Sequence, residues 1–158
     1  MGGKLTYVNN VSANRLFALA AAKNGASLNG IISSTYTASS TTQANLPGIK
    51  LAKTIIHQYA PALDQSLAAG DGNIVYGLAS AWTFADALKH AGKNLTRAGL
   101  MHALRNMKET NNPFIYPGMT VQTSKKRTFP MEQLKLIKWS GGAGGDWHAF
   151  GQIYSGVH

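Results

Sequence analysis

The acidic side chains of this sequence are few and lie far apart along the chain. No two of them stand three or four residues apart, the spacing that brings two side chains together on one helix face. Two carboxylates that work as acid and base, or as acid and nucleophile, must lie within about 10 Å of each other. The acids therefore give no support to carboxylate-pair catalysis; they are Asp64, Asp71, Asp86, Glu109, Glu132 and Asp146.

The other residue types that perform chemistry give no stronger indication. The five histidines lack the His-x-x-x-His spacing of a metal-binding helix, which favours surface or boundary histidines over a metal site. No serine lies in a Gly-x-Ser-x-Gly motif, and the chain has no cysteine for a thiolate site or a disulfide. We therefore predict no catalytic activity, no bound metal and no cofactor. The histidines are His57, His90, His102, His148 and His158.

The stretch SGGAGG, residues 140–145, places four glycines within six positions and could belong to a phosphate-binding loop. Such a loop needs a strand before it and a helix after it whose first N–H groups face the anion. Here every second residue on both flanks would share one face, as in a strand. The residues concerned are Leu134 and Leu136 before the glycines, and Trp147 and Ala149 after them. The stretch therefore predicts a hairpin turn, with a phosphate site as the less favoured alternative.

The elements that would position a site begin as strand, helix and strand. KLTYVNN (residues 4–10) and LNGIISSTY (residues 28–36) are typical of strands. Ser12 is placed to cap the helix between them, and Gly25 is placed to end it. This order is typical of an α/β unit.

Three further helices follow. After them the apolar residues recur at every second position, as in strands, instead of at helical spacing. The first runs from Pro47 to just before Pro61, the second ends at Gly92, and the third is capped by Thr96 and reaches Met107. A strand near residues 119–123 and the final hairpin close the chain. The apolar stripes of the first two helices are predicted at Ile49, Ala52, Ile56 and Tyr59, and at Ile74, Leu78, Ala81, Ala85 and Leu88.

Two loops could meet a ligand, because open α/β folds bind ligands at the carboxyl ends of their strands. Val8–Ser12 follows the first strand, and Ser33–Tyr36 ends the second. Both offer short polar groups and one of them a tyrosine ring. Ordinary helix capping by Asn10 and Ser12 explains the first loop equally well.

The chain carries a formal net charge of +9, from 15 Lys and Arg against 6 Asp and Glu. An excess of cationic side chains favours binding to anionic partners, but only Lys125, Lys126 and Arg127 form a run of adjacent cations. The aromatic-basic interleaving that stacks nucleic-acid bases is lacking. We therefore favour a solvated basic surface without a nucleic-acid partner, and keep a basic module that binds nucleic acid or another anion as the alternative.

Four segments together resemble a known family. They are GIISSTY with the following Pro-Gly helix, DGNIVYGLASAWTFADALKHAGKNLTRAGLMHAL, NPFIYPGMTVQTS, and TFPMEQLKLIKW with WHAFG. Their order and spacing resemble the C-terminal part of a bacterial ABC-transporter substrate-binding protein. The subgroup is the type I periplasmic binding proteins of the branched-chain amino acid (leucine/isoleucine/valine) class. One local difference is the basic SKKRTFP, where family members commonly carry acidic residues.

The resemblance implies an α/β fold with two three-layer αβα lobes that clamp a ligand between them, present here as a C-terminal fragment. Residues 1–46 would end a second-lobe segment, 47–112 would form a helical segment returning to the first lobe, and 113–158 would form the closing strands and hairpin of the second lobe. The family's export signal has no counterpart in this chain, so a periplasmic location would belong to the intact protein.

The resemblance also implies a function and a set of site residues. The function is non-catalytic capture of a branched-chain amino acid or similar solute, delivered to the membrane permease of an ABC importer. The cleft residues would be Asn9, Asn10 and Val11 after the first strand, with Thr35 and Tyr36 after the second. Because the apolar helices would cover a sheet that is largely missing, we expect a homo-oligomer formed by swapping elements.

Overall fold

The computed structural model of the chain describes residues 14–93 and 95–156. This part of the chain forms five α-helices, two 3₁₀ turns and five strands. The helices are α1 (Arg15–Lys23), α2 (Pro47–Tyr59), α3 (Asp64–Ala68), α4 (Gly72–Ala91) and α5 (Arg97–Leu104), with 3₁₀ turns at Pro61–Leu63 and Gly142–Gly144. The strands are β1 (Ile32–Thr35), β2 (Lys108–Glu109), β3 (Val121–Gln122), β4 (Gln133–Ser140) and β5 (Asp146–Ser155).

The first core lies between α1 and a three-stranded sheet of order β1-β4-β5. Both strand pairs of this sheet are antiparallel. Alternate side chains of a strand share a face, and on β4 the buried ones are Ile137 and Trp139. Ala18 of α1 packs on this face, where Trp139 meets Trp147 of β5 edge-to-face, with ring centroids 5.3 Å apart.

The second core joins helices α2 to α5 and the short antiparallel pair β2-β3. Helix α2 begins at Pro47, whose fixed φ suits the first helical turn, and buries Ile49, Ala52 and Ile56 as predicted. Tyr59 was wrongly placed in that stripe: it is the last residue of α2 and 75% exposed. The core's buried members are Ala38, Ile49, Ala52, Ile56, Leu67, Val75, Ala79, Ala87, Met107, Phe114, Ile115, Met119 and Val121.

Two extended segments connect the two cores and pair with each other. Thr37 and Ile115 form an isolated antiparallel bridge. Tyr116 N donates to Tyr36 O at 2.8 Å, and Ala38 N donates to Phe114 O at 3.0 Å. Residues 36–38 and 114–116 therefore hold the sheet unit against the helical unit.

The buried face of α4 differs from the predicted stripe. The fully buried side chains are Val75, Ala79 and Ala87. Of the predicted stripe, Ile74 and Leu78 pack against the core and are partly buried, whereas Ala81, Ala85 and Leu88 are exposed. Nearly every position of α4 is apolar or small, so its sequence period does not select one face. The core instead takes the face that carries Val75, Ala79 and Ala87, and α4 packs against α5.

The ends of two helices also correct the sequence prediction. Ser12 lies outside the described residues, and the N-cap of α1 is Asn14, whose Oδ1 accepts from Leu16 N at 2.9 Å. Thr96 caps α5 as predicted, because its Oγ1 accepts from Gly99 N at 3.0 Å. The helix ends before Met107, whose N–H donates instead to Thr123 Oγ1 at 3.0 Å.

The glycine-rich stretch is the turn of the β4–β5 hairpin, as predicted. Gly141 has φ +97°, a conformation that glycine adopts without strain. A Cβ at Gly145 would lie 2.1 Å from Ser140 O, so the turn has no room for a side chain there. Trp139 Nε1 closes the turn by donating to Gly142 O at 2.9 Å.

The mixture of helices with small sheets confirms the α/β class in its general sense. All strand pairs among the described residues are antiparallel. The first predicted strand, residues 4–10, lies outside the described part of the chain.

Candidate functional site

A polar cavity of about 260 Å³ lies between the sheet and the segment that follows β1. Thr35, Ile137 and Ala149 share one face of the sheet and contribute to the lining. The cavity therefore lies over the same face of the sheet that α1 covers, at a neighbouring position along the strands. Its polar lining residues are Arg15, Thr35, Thr37, Ser39, Ser40, Thr41, Thr42, Gln43, Tyr116, Asp146 and His148.

Side-chain hydroxyls make one wall of the cavity, and local hydrogen bonds hold them in place. Ser39 Oγ accepts from Thr41 N at 3.3 Å and from Thr42 N at 3.1 Å. Ser39 N donates to Gln43 Oε1 at 2.9 Å, which closes the same turn. Such hydroxyl-to-backbone bonds are why a Ser/Thr-rich segment favours turns.

An ion pair between Arg15 and Asp146 forms the charged end of the cavity. Arg15 Nε lies 2.9 Å from Asp146 Oδ2, with side chains 21% and 16% exposed. The contact is an ion pair, although Nε makes no hydrogen bond of regular geometry. Arg15 Nη1 donates to Ala69 O at 2.8 Å. The guanidinium of α1 therefore contacts both the turn between α3 and α4 and the start of β5.

A neighbouring contact fixes the position of Arg15. Asn14 Nδ2 donates to Asp71 Oδ1 at 2.7 Å, which ties the start of α1 to the start of α4. Asp71 in turn caps α4 by accepting from Asn73 N at 3.0 Å. The cation at the cavity is therefore held by contacts from both cores.

The cavity combines one cation, one anion and a row of hydroxyls in a small volume. Hydroxyls both donate and accept, and the ion pair offers a site for each sign of charge. This lining suits a small solute with both donors and acceptors better than a large or purely apolar one. Among the described residues, no group of three or more His, Asp or Glu could hold a metal ion.

The structure separates the two described residues of the predicted site. Thr35 lines the polar cavity beside Arg15 and Asp146. Tyr36 lines a different cavity of about 360 Å³ and meets Tyr76 edge-to-face, with ring centroids 6.2 Å apart. Adjacent residues of extended chain point to opposite sides, which explains the separation.

The environment of Tyr36 also changes its titration. Burial raises the pKa of the Tyr36 phenol above its ordinary value, and the neighbouring Tyr76 raises that pKa further. The remaining predicted site residues, Asn9, Asn10 and Val11, lie outside the described part of the chain.

Sequence reasoning missed the charged end of the cavity. Arg15 and Asp146 lie near opposite ends of the chain, so no local pattern connects them. The segment TASSTTQ (residues 37–43) did carry a signal, because its composition favours a turn with exposed hydroxyls. Sequence reasoning recognised it as a loop but did not place it in the site.

Comparisons with known proteins do not add to this picture. No protein-family model, no curated protein and no solved structure matches the chain. No helix among the described residues is both long and apolar enough to cross a membrane. The interpretation of the cavity therefore depends on its own geometry.

Proposed function

We propose that the chain is the solute-binding component of an ABC importer and captures a small amino acid or related solute without chemical change. In this proposal the fold is the C-terminal part of a type I periplasmic binding protein with three-layer αβα lobes. The intact protein would lie in the periplasm and deliver its solute to the membrane permease. The four segments described above, which resemble that class, support this assignment.

The observation that carries the proposal is the polar cavity with its Arg15–Asp146 ion pair. An amino acid has a carboxylate and an ammonium group close together, and the cavity offers a guanidinium and a carboxylate 2.9 Å apart. Its volume of about 260 Å³ lies near the lower end for ligand pockets, which suits a small solute. The cavity also lies between two separate cores, where a binding protein closes around its ligand.

Isothermal titration of the chain with a panel of amino acids, amino-acid amides and monocarboxylates tests the proposal. We expect saturable binding of at least one zwitterion with a stoichiometry of one. Asp146→Asn keeps the shape of the side chain but removes the charge that would hold an ammonium group, so it should weaken binding about tenfold or more. Asp86→Asn is the control, because Asp86 pairs with the exposed His90 on α4, outside the cavity lining.

Two outcomes would contradict the proposal. If no member of the panel binds, or if Asp146→Asn and Asp86→Asn bind equally well, the cavity is not a solute site. Binding of an oligonucleotide whose affinity falls steeply with added salt, without amino-acid binding, would favour the alternative of a basic module.

A further inference from the structure

A second concave site lies between α5 and the loop at residues 123–130. The groove has a volume of about 1040 Å³. Its floor is apolar, and three of the contributing side chains, Met101, Leu104 and Met107, come from α5 and the residues just after it. The apolar lining residues are Ala98, Met101, Leu104, Met107 and Pro130.

Hydrogen bonds from the loop to the end of α5, and others within the loop, hold the walls of this groove in place before any ligand binds. Thr123 Oγ1 donates to Leu104 O at 2.5 Å, and Thr123 N donates to Met107 O at 2.9 Å. Ser124 N donates to Arg127 O at 2.8 Å, and Ser124 Oγ accepts from Arg127 N at 3.1 Å. The tight turn therefore holds Lys125 at the rim of the groove.

The rim carries charges of one sign. Arg105, Lys125 and Arg127 line the groove together with His102, and none of its described lining residues is acidic. Arg127 is already paired, because its Nε lies 2.7 Å from Glu132 Oε2. Within the described part of the chain, Arg105 and Lys125 form no ion pair.

An apolar cavity adjoins the groove and lengthens its apolar surface. This cavity of about 360 Å³ is the one that contains Tyr36. Thr83, Leu104 and Pro130 line both spaces, and Phe84 and Val121 help to line the cavity. An elongated apolar ligand could extend from one space towards the other.

We propose that the groove binds an amphiphilic monocarboxylate, such as a fatty acid. The carboxylate lies between Arg105 and Lys125, and the acyl chain follows the apolar floor towards the adjoining cavity. The single sign of charge at the rim selects an anionic head group over a cationic one. The apolar floor selects an acyl chain over a small inorganic anion, which would leave the floor exposed to water.

The geometry also favours this ligand over an extended anionic partner. Nucleic-acid surfaces combine rows of cations with exposed aromatic rings on which bases stack, and none of the described groove-lining residues is a Phe, Tyr or Trp. A concave site of this size is typical of small-molecule ligands. The groove shares no lining residue with the polar cavity, so the two sites are separate.

Titration of the chain with dodecanoate, below the concentration at which it forms micelles, tests this proposal. We expect saturable binding at a stoichiometry of one. Shortening the ligand from dodecanoate to octanoate should weaken binding by up to about fourfold for each CH₂ removed, if each is fully buried. Acetate, which has the head group without the chain, and dodecyltrimethylammonium, which has the chain with the opposite charge, should not bind measurably.

Three variants locate the binding. The double variant Arg105→Ala and Lys125→Ala should weaken dodecanoate binding about tenfold or more, because both partners of the carboxylate are lost. Met101→Glu should abolish it by placing a like charge on the floor, and Met101 is exposed enough for the variant to fold. Lys53→Ala is the control, since Lys53 is an exposed lysine of α2 that does not line the groove.

The expected result is loss of dodecanoate binding in the double variant and in Met101→Glu, with Lys53→Ala unchanged and amino-acid binding unaffected. The proposal is overturned if dodecanoate and dodecyltrimethylammonium bind alike, if chain length has no effect, or if the double variant binds as well as Lys53→Ala. Displacement of dodecanoate by a duplex oligonucleotide at low salt would overturn it too, in favour of a nucleic-acid surface.

Discussion

At the scale of single residues, Thr35 is the predicted site residue that the structure brings to the polar cavity. Its Oγ1 accepts from Thr37 N at 3.2 Å and donates to Thr37 O at 3.1 Å, which turns the chain at the end of β1. The hydroxyl of Thr37 also lies 3.4 Å from Thr35 Oγ1. The Thr35 hydroxyl therefore helps to shape the cavity wall.

Replacing Thr35 by Val should weaken solute affinity by about 1–3 kcal/mol, because a polar contact is lost while the size of the side chain is kept. Titration with the bound amino acid measures the change. Thr54→Val is the matched control, since the hydroxyl of Thr54 bonds only to Lys50 O of its own exposed helix turn among the described residues. Equal affinities for the two variants would remove Thr35 from the site.

Tyr36 gives a prediction about pH. Because burial and Tyr76 raise the pKa of its phenol, the folded protein holds the proton more tightly than the unfolded chain does. This contribution to stability is at its full value below the unfolded pKa of about 10 and is lost as the pH rises from there through the folded pKa.

The free energy of unfolding should therefore fall more steeply above pH 10 in the parent protein than in Tyr36→Phe, which has no phenol to ionise. Urea unfolding at several alkaline pH values measures the difference. Tyr59→Phe serves as the control, because Tyr59 is 75% exposed. Parallel curves for the parent and Tyr36→Phe would show that this residue does not contribute to alkaline unfolding.

At the scale of elements, one glycine shows how closely α2 meets the segment that connects the cores. A Cβ at Gly48 would lie 1.7 Å from the backbone oxygen of Pro113. That atom belongs to the backbone, so the helix or the connecting segment must move to make room. Gly77 of α4 offers the opposite case, since nothing lies within 4 Å of a Cβ added there.

Gly48→Ala should lower the free energy of unfolding by about 1–3 kcal/mol or more, the usual cost of overpacking a close contact. Gly77→Ala should instead raise it by about 0.5–1 kcal/mol, because alanine is the better helix former at a position with free space. Denaturant unfolding of both variants gives the comparison. A stable Gly48→Ala would mean that α2 and Pro113 do not approach as closely as described.

The same two helices show how far the sequence could predict the elements. In α2 the positions Ile49, Ala52 and Ile56 recur at helical spacing with Lys50, Lys53 and Thr54 on the other side, so the sequence selects one buried face. The prediction of that face is confirmed at these three positions and wrong only at Tyr59. In α4 the apolar residues surround the helix, so the buried face was chosen by packing against α5, which no local pattern reveals. The hairpin was predictable because both of its strands alternate and glycines join them.

At the scale of the whole molecule, both candidate sites combine residues that are distant in the sequence. The polar cavity is lined by residues of α1, of β5 and of the turn between α3 and α4. The basic groove is lined by residues of α5 and of the loop after β3. The sequence indicated a loop at residues 37–43 and a basic run at residues 125–127. It did not indicate that Arg15 would meet Asp146 or that Arg105 and Lys125 would line one groove, because such arrangements are set by the tertiary fold.

The exposed apolar side chains of α4 are a property of the whole molecule. Tyr76 is 51% exposed and Phe84 50% exposed, and both line the apolar cavity of about 360 Å³ beside the second core. A helix that is apolar on all sides is typical of a fully buried element. Contiguous exposed apolar surface of this kind usually marks a contact with another chain or element.

We therefore expect the chain to self-associate through α4, by exchange of elements or by face-to-face packing. The +9 charge opposes association at long range, but α4 carries few charges, so added salt should screen the repulsion and strengthen the complex. Light scattering at several protein and salt concentrations should give a mass above the 16.8 kDa of one chain.

The double variant Tyr76→Lys and Phe84→Lys tests whether α4 forms the contact. Each substitution adds a charge to a position that is already half exposed, so the monomer should keep its fold while the shared face becomes costly to bury. Phe17→Lys is the control, because Phe17 is 59% exposed on α1 and belongs to the other unit. The α4 variant should lower the mass towards one chain, and the Phe17 variant should not. If the parent protein stays at 16.8 kDa and unfolds cooperatively, the exposed face of α4 is stable in water without a partner.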